Sequence, residues 1–233
     1  MMDWLGPAEW QAVRLSLQVA AWATVLSLPP GIAVAWLLAR GRFPGRGLLN
    51  ALVHLPLILP PVVTGYLLLW LFGTRGPVGS WLEATFGFSF MFSWTGAALA
   101  AAVMALPLMV RAMRLSIEAV DRKLVEAAQT LGASRWRAFR TITLPLTLPG
   151  ILAGLVLGFA RSIGEFGATI TFVSNIPGET RTLPLAIYSA LQVPGTELAV
   201  ARLAVLAVSL SLIALLLSEW LMRRAAAKVS HVV

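Results

Sequence analysis

Long apolar runs separated by short polar segments dominate this chain of 233 residues. A helix needs about 20 mostly apolar residues to cross the hydrocarbon layer of a membrane. Five runs reach that length, at residues 13–38, 52–72, 95–113, 148–172 and 198–222. The pattern therefore predicts an all-α, polytopic membrane protein with about five transmembrane helices. Since no low-complexity linker divides the chain, residues 1–233 are expected to form a single transmembrane domain.

Prolines lie inside the first three of these runs. They are Pro29 and Pro30 in the first, Pro56, Pro60 and Pro61 in the second, and Pro107 in the third. An interior proline leaves a backbone carbonyl unpaired, which a membrane tolerates only where protein or a watery cavity supplies a partner. The set predicts three proline-broken helices packed around a path, although a packing kink is the simpler explanation for any single proline.

The positive charges between the runs predict the orientation of the chain. Most of its 18 lysines and arginines fall in three segments, which follow the first, third and fifth runs. With five crossings these segments share one side of the membrane, and the loops of the opposite side carry only Arg75 and Arg181. Because basic loops stay in the cytoplasm, we expect the N-terminus outside and the C-terminus inside.

Composition excludes several classes of protein. Hydrophobic residues make up 58% of the chain and charged residues 12%, whereas a soluble domain carries about 25% charged residues. The net charge of +8 is spread over the loops, so no nucleic-acid partner is expected. There is no cysteine, and His54 and His231 lack the spacing of metal ligands. The sequence contains neither a catalytic set nor a G-x-x-x-x-G-K-S/T phosphate-binding loop, so we expect no catalytic residues, no metal and no cofactor on this chain.

The segment at residues 116–145 is strongly charged, in contrast to the other connections. Apolar residues at helical spacing predict one amphipathic helix over residues 118–131 and a second over residues 135–143. Gly132 fits the left-handed position that ends the first helix, and Ser134 fits the N-cap of the second. The pattern thus predicts two short helices around a tight turn on the cytoplasmic side.

The second helix of this segment is expected to end at Pro145. One side of it carries Trp136 and Phe139, and the other carries Arg137 and Arg140. A surface that is both apolar and charged suits a socket on another protein. The alternative, from the pattern alone, is a helix that lies in the membrane interface with its arginines in water.

Residues 126–145 read EAAQTLGASRWRAFRTITLP, and they resemble the signature of the membrane subunits of bacterial ABC importers. That signature is Glu-Ala-Ala, three residues, a glycine, and a hydrophobic, basic helix ending in Leu-Pro. The resemblance implies a helix pair that docks into a cleft of a separate ATPase subunit, and it favours docking over the interfacial helix. It assigns this coupling role to Glu126, Ala127, Ala128, Gly132, Ala133, Ser134, Arg135, Phe139, Leu144 and Pro145.

Two opposite charges, Arg161 and Glu165, lie inside the fourth apolar run. Each charge should cost about 2.5–3.5 kcal/mol at the centre of a spanning helix, but at four residues apart they can neutralise each other. Neighbouring glycines permit close helix approach and local unwinding. Two interpretations stay open. The pair either forms a gate or packing hinge, or it lines the translocation path directly. The candidate residues for either are Arg161, Gly164, Glu165, Phe166, Gly167 and Thr169.

Residues 160–195 are similar to the oxyanion branch of these importers. The Gly-Glu-Phe-Gly core is shared with sulfate and tungstate relatives, whereas NIPGETRTLPLAIY is closer to molybdate permease subunits. Residues 38–69 also look like that group. The implied function is ATP-driven import of molybdate, with tungstate as a second substrate, by a path that opens alternately to each side. A sulfate or thiosulfate permease of the same class is one alternative, and a secondary transporter driven by an ion gradient is another.

The resemblance also implies an assembly in the bacterial cytoplasmic membrane. It consists of a homodimer of this chain, surrounded by lipid, with the path between the two copies. Two ATP-binding subunits would carry ATP and magnesium on the cytoplasmic side. An extracytoplasmic oxyanion-binding protein would deliver the substrate to the outer loops at residues 74–93 and 173–195.

Overall fold

The computed structural model describes residues 5–230, and this part of the chain consists of helices and turns without a strand. His231 lies outside the described residues. The helices are α1 (Pro7–Arg40), α2 (Arg46–Ile58), α3 (Pro61–Phe72), α4 (Pro77–Phe86), α5 (Trp94–Ala119), α6 (Arg122–Thr130), α7 (Arg135–Ala138), a π-helical turn (Phe139–Thr143), α8 (Leu144–Ile163), α9 (Gly167–Val173), α10 (Leu183–Leu191) and α11 (Glu197–Ser230). The all-α prediction is confirmed.

Four helices in the described part of the chain are long and apolar enough to cross a membrane. They are α1, α5, the uninterrupted helix Arg135–Ile163 and the portion Glu197–Leu217 of α11. The second predicted span is not a straight helix, since α2 and α3 meet at an angle of 116°. The backbone is extended at Leu59 and Pro60, with ψ of 143° and 135°. A residue that precedes a proline disfavours the helical conformation, and here both residues do.

The direction of α1 and α5 shows that α2 and α3 together cross the bundle. Two apolar cores mark its opposite ends. The first contains Val19 of α1, Leu68 of α3 and Ala101 of α5. The second contains Leu38 of α1 and Met113 of α5, with Val53 of α2 packed against it. Since α1 and α5 both run from the first core to the second, the chain returns between them through the bent pair. Counted as one span, this pair raises the candidate crossings from four to five.

Two of the three predicted proline breaks are wrong. The α-helix α1 continues through Pro29 and Pro30, and α5 continues through Pro107. Each proline removes one backbone hydrogen bond, while the turns on either side keep theirs. Both helices are also packed along each other through the two cores, which favours the continuous form. Of the three predicted breaks, the one at Pro60–Pro61 forms. Two consecutive prolines are not sufficient for a break, because Pro29 and Pro30 lie inside α1.

The segments predicted as outer loops contain helices of their own, α4 and α10. Leu183, at the start of α10, is fully buried and shares an apolar core with Val13 of α1 and Leu203 of α11. The Leu183 amide donates a hydrogen bond of 2.6 Å to the buried Ser16 hydroxyl of α1. The loop at residues 173–195 is therefore a fixed part of the bundle.

The crossing of α3 and α9 depends on Gly65, and this gives a first prediction. A Cβ atom at Gly65 would lie 2.6 Å from the Ala168 carbonyl oxygen and 2.8 Å from Thr171. Because the two helices would have to separate, Gly65→Ala is expected to lower the free energy of unfolding by about 1–3 kcal/mol. Gly47→Ala is the matched control, since nothing lies within 4 Å of an added Cβ there. Thermal unfolding in detergent compares the two variants, and equal midpoints would contradict the close crossing.

Candidate functional site

The first helix of the 116–145 segment begins about one turn later than predicted. The helix expected over residues 118–131 is divided, because α5 ends at Ala119 and α6 begins at Arg122. The Asp121 side chain accepts a hydrogen bond of 2.9 Å from the Lys123 amide and so caps α6. At the end of α5, the Arg40 guanidinium donates to the carbonyl oxygens of residues 117 and 120, at 2.9 and 2.8 Å.

The turn between the two helices of the segment has the predicted geometry. Gly132 lies in the left-handed region with φ of +89°. The Ala133 amide donates to the Ala128 carbonyl at 3.0 Å, which is the hydrogen bond of a Schellman motif. Ser134 accepts a hydrogen bond of 3.2 Å from the Arg137 amide, so it is the N-cap of the second helix. Both cap predictions are confirmed.

The second helix does not end at Pro145, which corrects the prediction. It passes through the π-helical turn Phe139–Thr143 and continues as α8. The Leu144 amide bonds to the Phe139 carbonyl in this turn. Pro145 has no amide hydrogen, and its ring would collide with the carbonyl four residues earlier in a regular α-helix. A single wider turn relieves that collision. The segment is therefore joined to the fourth span by one continuous helix, Arg135–Ile163.

The residues with a predicted coupling role are distributed over α6, the turn at Gly132 and the helix that follows it. Exposed members are Glu126, Ala127, Gly132, Ser134, Arg135 and Leu144. Half-buried members are Ala128, Ala133, Phe139 and Pro145. Two further residues, missed as site residues, present large apolar side chains beside them, since Leu131 is 90% exposed and Trp136 is 65% exposed. Their helical spacing was visible in the sequence, but their degree of exposure was not.

The Arg161–Glu165 pair forms, although not inside a continuous helix as predicted. The fourth run is interrupted, because α8 ends at Ile163 and α9 begins at Gly167. Arg161 Nη1 lies 2.8 Å from Glu165 Oε2, and the two side chains are 26% and 2% exposed. The other carboxylate oxygen of Glu165 accepts a hydrogen bond of 2.9 Å from the Ala168 amide. Glu165 is thus fully paired, once to the end of α8 and once to the start of α9.

Two helix breaks meet at this place in the bundle. A Cβ atom added to Gly167 would lie 2.8 Å from Cβ of Pro61, the residue that follows the break between α2 and α3. The Phe166 ring contacts the ring of Tyr188 on α10, with centroids 5.1 Å apart. The structure brings the gate or path candidates together in this break and the first turn of α9. Within residues 5–230, no three or more histidine or acidic side chains are arranged to hold a metal ion.

The chain matches a known protein family over most of its length. Residues 31–227 fit the family described as the binding-protein-dependent transport system inner membrane component. A solved bacterial ABC transporter involved in the import of the acidic polysaccharide alginate has a similar fold. Its TM-score is 0.73 at 21% sequence identity, covering 95% of this chain and 81% of that chain.

Several relatives are similar in sequence. The molybdenum transport system permease protein ModB of Escherichia coli is 64% identical over 92% of this chain and 94% of its own length. The protein of the same description from Haemophilus influenzae is 63% identical over 93% and 94%. The sulfate transport system permease protein CysT of Escherichia coli is 41% identical over 78% of this chain and 65% of its own length.

Proposed function

The chain belongs to the family of binding-protein-dependent transport system inner membrane components, and from this premise we propose that it is the permease subunit of an ATP-driven molybdate importer. The observation that carries the proposal is the sequence identity of 64% with a molybdenum permease protein over nearly the whole of both chains. The corresponding identity with a sulfate permease protein is 41%, over 65% of that protein. Tungstate, a tetrahedral dianion like molybdate, is proposed as a second substrate.

Competition for uptake tests the proposed substrate. Cells that lack their own molybdate permease would express this chain with its binding protein and ATPase, and accumulation of labelled molybdate would be measured. We expect a tenfold excess of tungstate to suppress accumulation and the same excess of sulfate to leave it unchanged. Equal inhibition by sulfate would overturn molybdate as the preferred substrate and retain an oxyanion permease.

The 116–145 segment is the proposed docking site of the ATPase subunit. Leu131 and Trp136 expose large apolar surfaces next to Glu126 and Arg135, a combination typical of the anchor residues of protein interfaces. The continuous helix Arg135–Ile163 then joins this surface to the break at Glu165. A displacement of the segment by the ATPase would be transmitted along this helix to the break, where α8 and α9 are held by the Arg161–Glu165 pair.

The rest of the proposed assembly is inferred from the family to which the chain belongs. The basic segments are placed in the cytoplasm by their charge, with the N-terminus outside, in the bacterial cytoplasmic membrane. Two copies of the chain would enclose the path, and two ATP-binding subunits would hold ATP and magnesium. An extracytoplasmic binding protein would deliver the oxyanion at the face that contains α4 and α10. The chain itself performs no bond chemistry in this scheme.

A charge at Leu131 is expected to weaken ATPase docking without unfolding the chain. Its side chain is 90% exposed, so Leu131→Asp removes no buried contact within the chain. Loss of an apolar interface anchor costs about 2 kcal/mol or more, which corresponds to binding weakened by about thirtyfold. Gly47→Asp is the control, because it adds the same charge at an exposed position outside the segment. Pull-down of the ATPase by each detergent-purified variant measures the effect, and equal retention would argue against Leu131 as an anchor.

A further inference from the structure

A cleft of about 450 Å³ lies between the Arg40 end of α1 and the helices of the 116–145 segment. It is lined by Trp36 and Arg40 of α1, by Arg122 and Glu126 of α6, and by Arg135 and Phe139 of the second helix. The proposed function gives this cleft no ligand. It lies where the long apolar helix α1 ends and the charged segment begins, a position expected at the membrane surface.

The charges that line the cleft are unbalanced. It contains three arginines and a single carboxylate, Glu126. The Arg40 guanidinium donates to two backbone carbonyls. Arg122 repels it, and Glu118, which is outside the lining of the cleft, partly offsets this repulsion. Arg122 and Arg135 are exposed, and neither has an ion pair with another described residue. An anion in the cleft would relieve this repulsion and would find guanidinium donors, which suit a phosphate group.

An aromatic wall lies beside the arginines. The rings of Trp36 and Phe139 are in edge-to-face contact, with centroids 5.7 Å apart. Trp36 lies one helical turn before Arg40 and is partly exposed on the transmembrane helix α1. Tryptophan and arginine at this depth are typical of the membrane interface, where one end of a ligand is charged and the other is apolar. A small soluble anion would use the arginines and leave the aromatic wall without a role.

We propose that this cleft binds the headgroup of an anionic phospholipid from the adjacent membrane leaflet. Arg122 and Arg135 bind the phosphate, and the acyl chains descend along Trp36 into the membrane. The bound lipid joins the end of α1 to the proposed coupling segment, so anionic lipid stabilises the position of that segment. This inference is independent of the transported substrate, because it concerns a site that stays in contact with the membrane.

Quenching of tryptophan fluorescence by brominated lipids tests the proposal. The full chain in non-ionic detergent would be titrated with brominated phosphatidylglycerol or brominated phosphatidylcholine, at a salt concentration that screens diffuse attraction. The Trp36→Phe variant identifies the part of the quenching that Trp36 reports. Arg122→Gln removes a proposed phosphate ligand. The matched control is Arg42→Gln, an exposed arginine close to Arg40 in sequence but outside the cleft.

The lipid site predicts that phosphatidylglycerol quenches Trp36 at a concentration about 25-fold lower than phosphatidylcholine does. Both headgroups contain a phosphate, but only that of phosphatidylglycerol is net negative, and each of the two arginines contributes about a fivefold preference for an anionic lipid. Arg122→Gln should remove most of this preference, and Arg42→Gln should change it less than twofold. Equal quenching by the two lipids, or equal effects of the two variants, would overturn the proposal. Displacement of phosphatidylglycerol by millimolar inorganic phosphate would overturn it as well, because the cleft would then be a site for free anions.

Discussion

Glu165→Ala is expected to abolish transport in protein that still inserts into the membrane. The substitution removes the acceptor of the Ala168 amide and the ion-pair partner of Arg161 together. Removal of one partner of a buried pair costs about 3–5 kcal/mol, and the partial exposure of Arg161 places this case at the lower end. The two lost contacts lie at the junction of α8 and α9, where the helix from the proposed coupling segment ends. Uptake per amount of inserted protein should fall at least tenfold, and normal uptake at a normal protein level would contradict a role for the pair.

The double variant Arg161→Met with Glu165→Gln separates the two interpretations of the pair. Glutamine keeps an acceptor for the Ala168 amide, and no unpaired charge is left in the bundle. If the pair is a hinge, thermal stability and a large part of uptake should return together. If Arg161 or Glu165 lines the path and contacts the oxyanion, stability should return while uptake stays low. The proposed transmission of a displacement along the helix Arg135–Ile163 to this break requires a hinge and predicts the first result.

Gly132→Pro is expected to uncouple transport from ATP hydrolysis. Gly132 has φ of +89°, whereas proline fixes φ near −65°. Its amide also donates a hydrogen bond of 3.0 Å to the Gln129 carbonyl, and proline would remove that donor. The turn would open, and the helices before and after it would change their relative direction. ATP-dependent uptake should fall below about a tenth of the native rate, because a misplaced interface loses most of its binding energy.

Gly132→Asn is the matched control for this turn. Asparagine tolerates the left-handed conformation better than other residues with a side chain, and nothing lies within 4 Å of a Cβ atom at this position. Uptake and ATPase pull-down by this variant should remain close to native. Wild-type uptake by Gly132→Pro, or an equal loss in both variants, would show that the left-handed turn does not carry the coupling.

Features fixed by neighbouring residues were predictable from the sequence. The apolar runs of α1, α5 and α11 exceed the length needed to cross a membrane, so their existence followed from hydropathy alone. Gly132 and Ser134 were predicted correctly, because helix caps depend on residues within one turn. The ion pair of Arg161 and Glu165 also formed as expected from a spacing of four residues. Each of these features depends on residues that are close together in sequence.

Features that depend on distant contacts were not predictable in this way. Pro107 and Pro60 are both interior prolines of predicted spans, yet α5 continues through Pro107 whereas α2 ends at Ile58, just before Pro60. The break between α8 and α9 lies against Pro61, which is far away in sequence, so closely that a Cβ atom at Gly167 would be 2.8 Å from Cβ of Pro61. The burial of α10 through Leu183 is likewise a contact with α1. The cleft at Trp36 joins parts of the chain that no local pattern connects.

ATP-dependent uptake of labelled molybdate by the complete complex in vesicles is the most direct test of the proposed function. The complex would contain two copies of this chain, the ATPase subunits and the binding protein, with ATP supplied on the side of the ATPase. We predict that molybdate accumulates only when ATP is present and that the Gly132→Pro complex fails to accumulate it. Accumulation at the same rate without ATP, or in response to an ion gradient alone, would contradict the proposal that this chain is the permease of an ATP-driven importer.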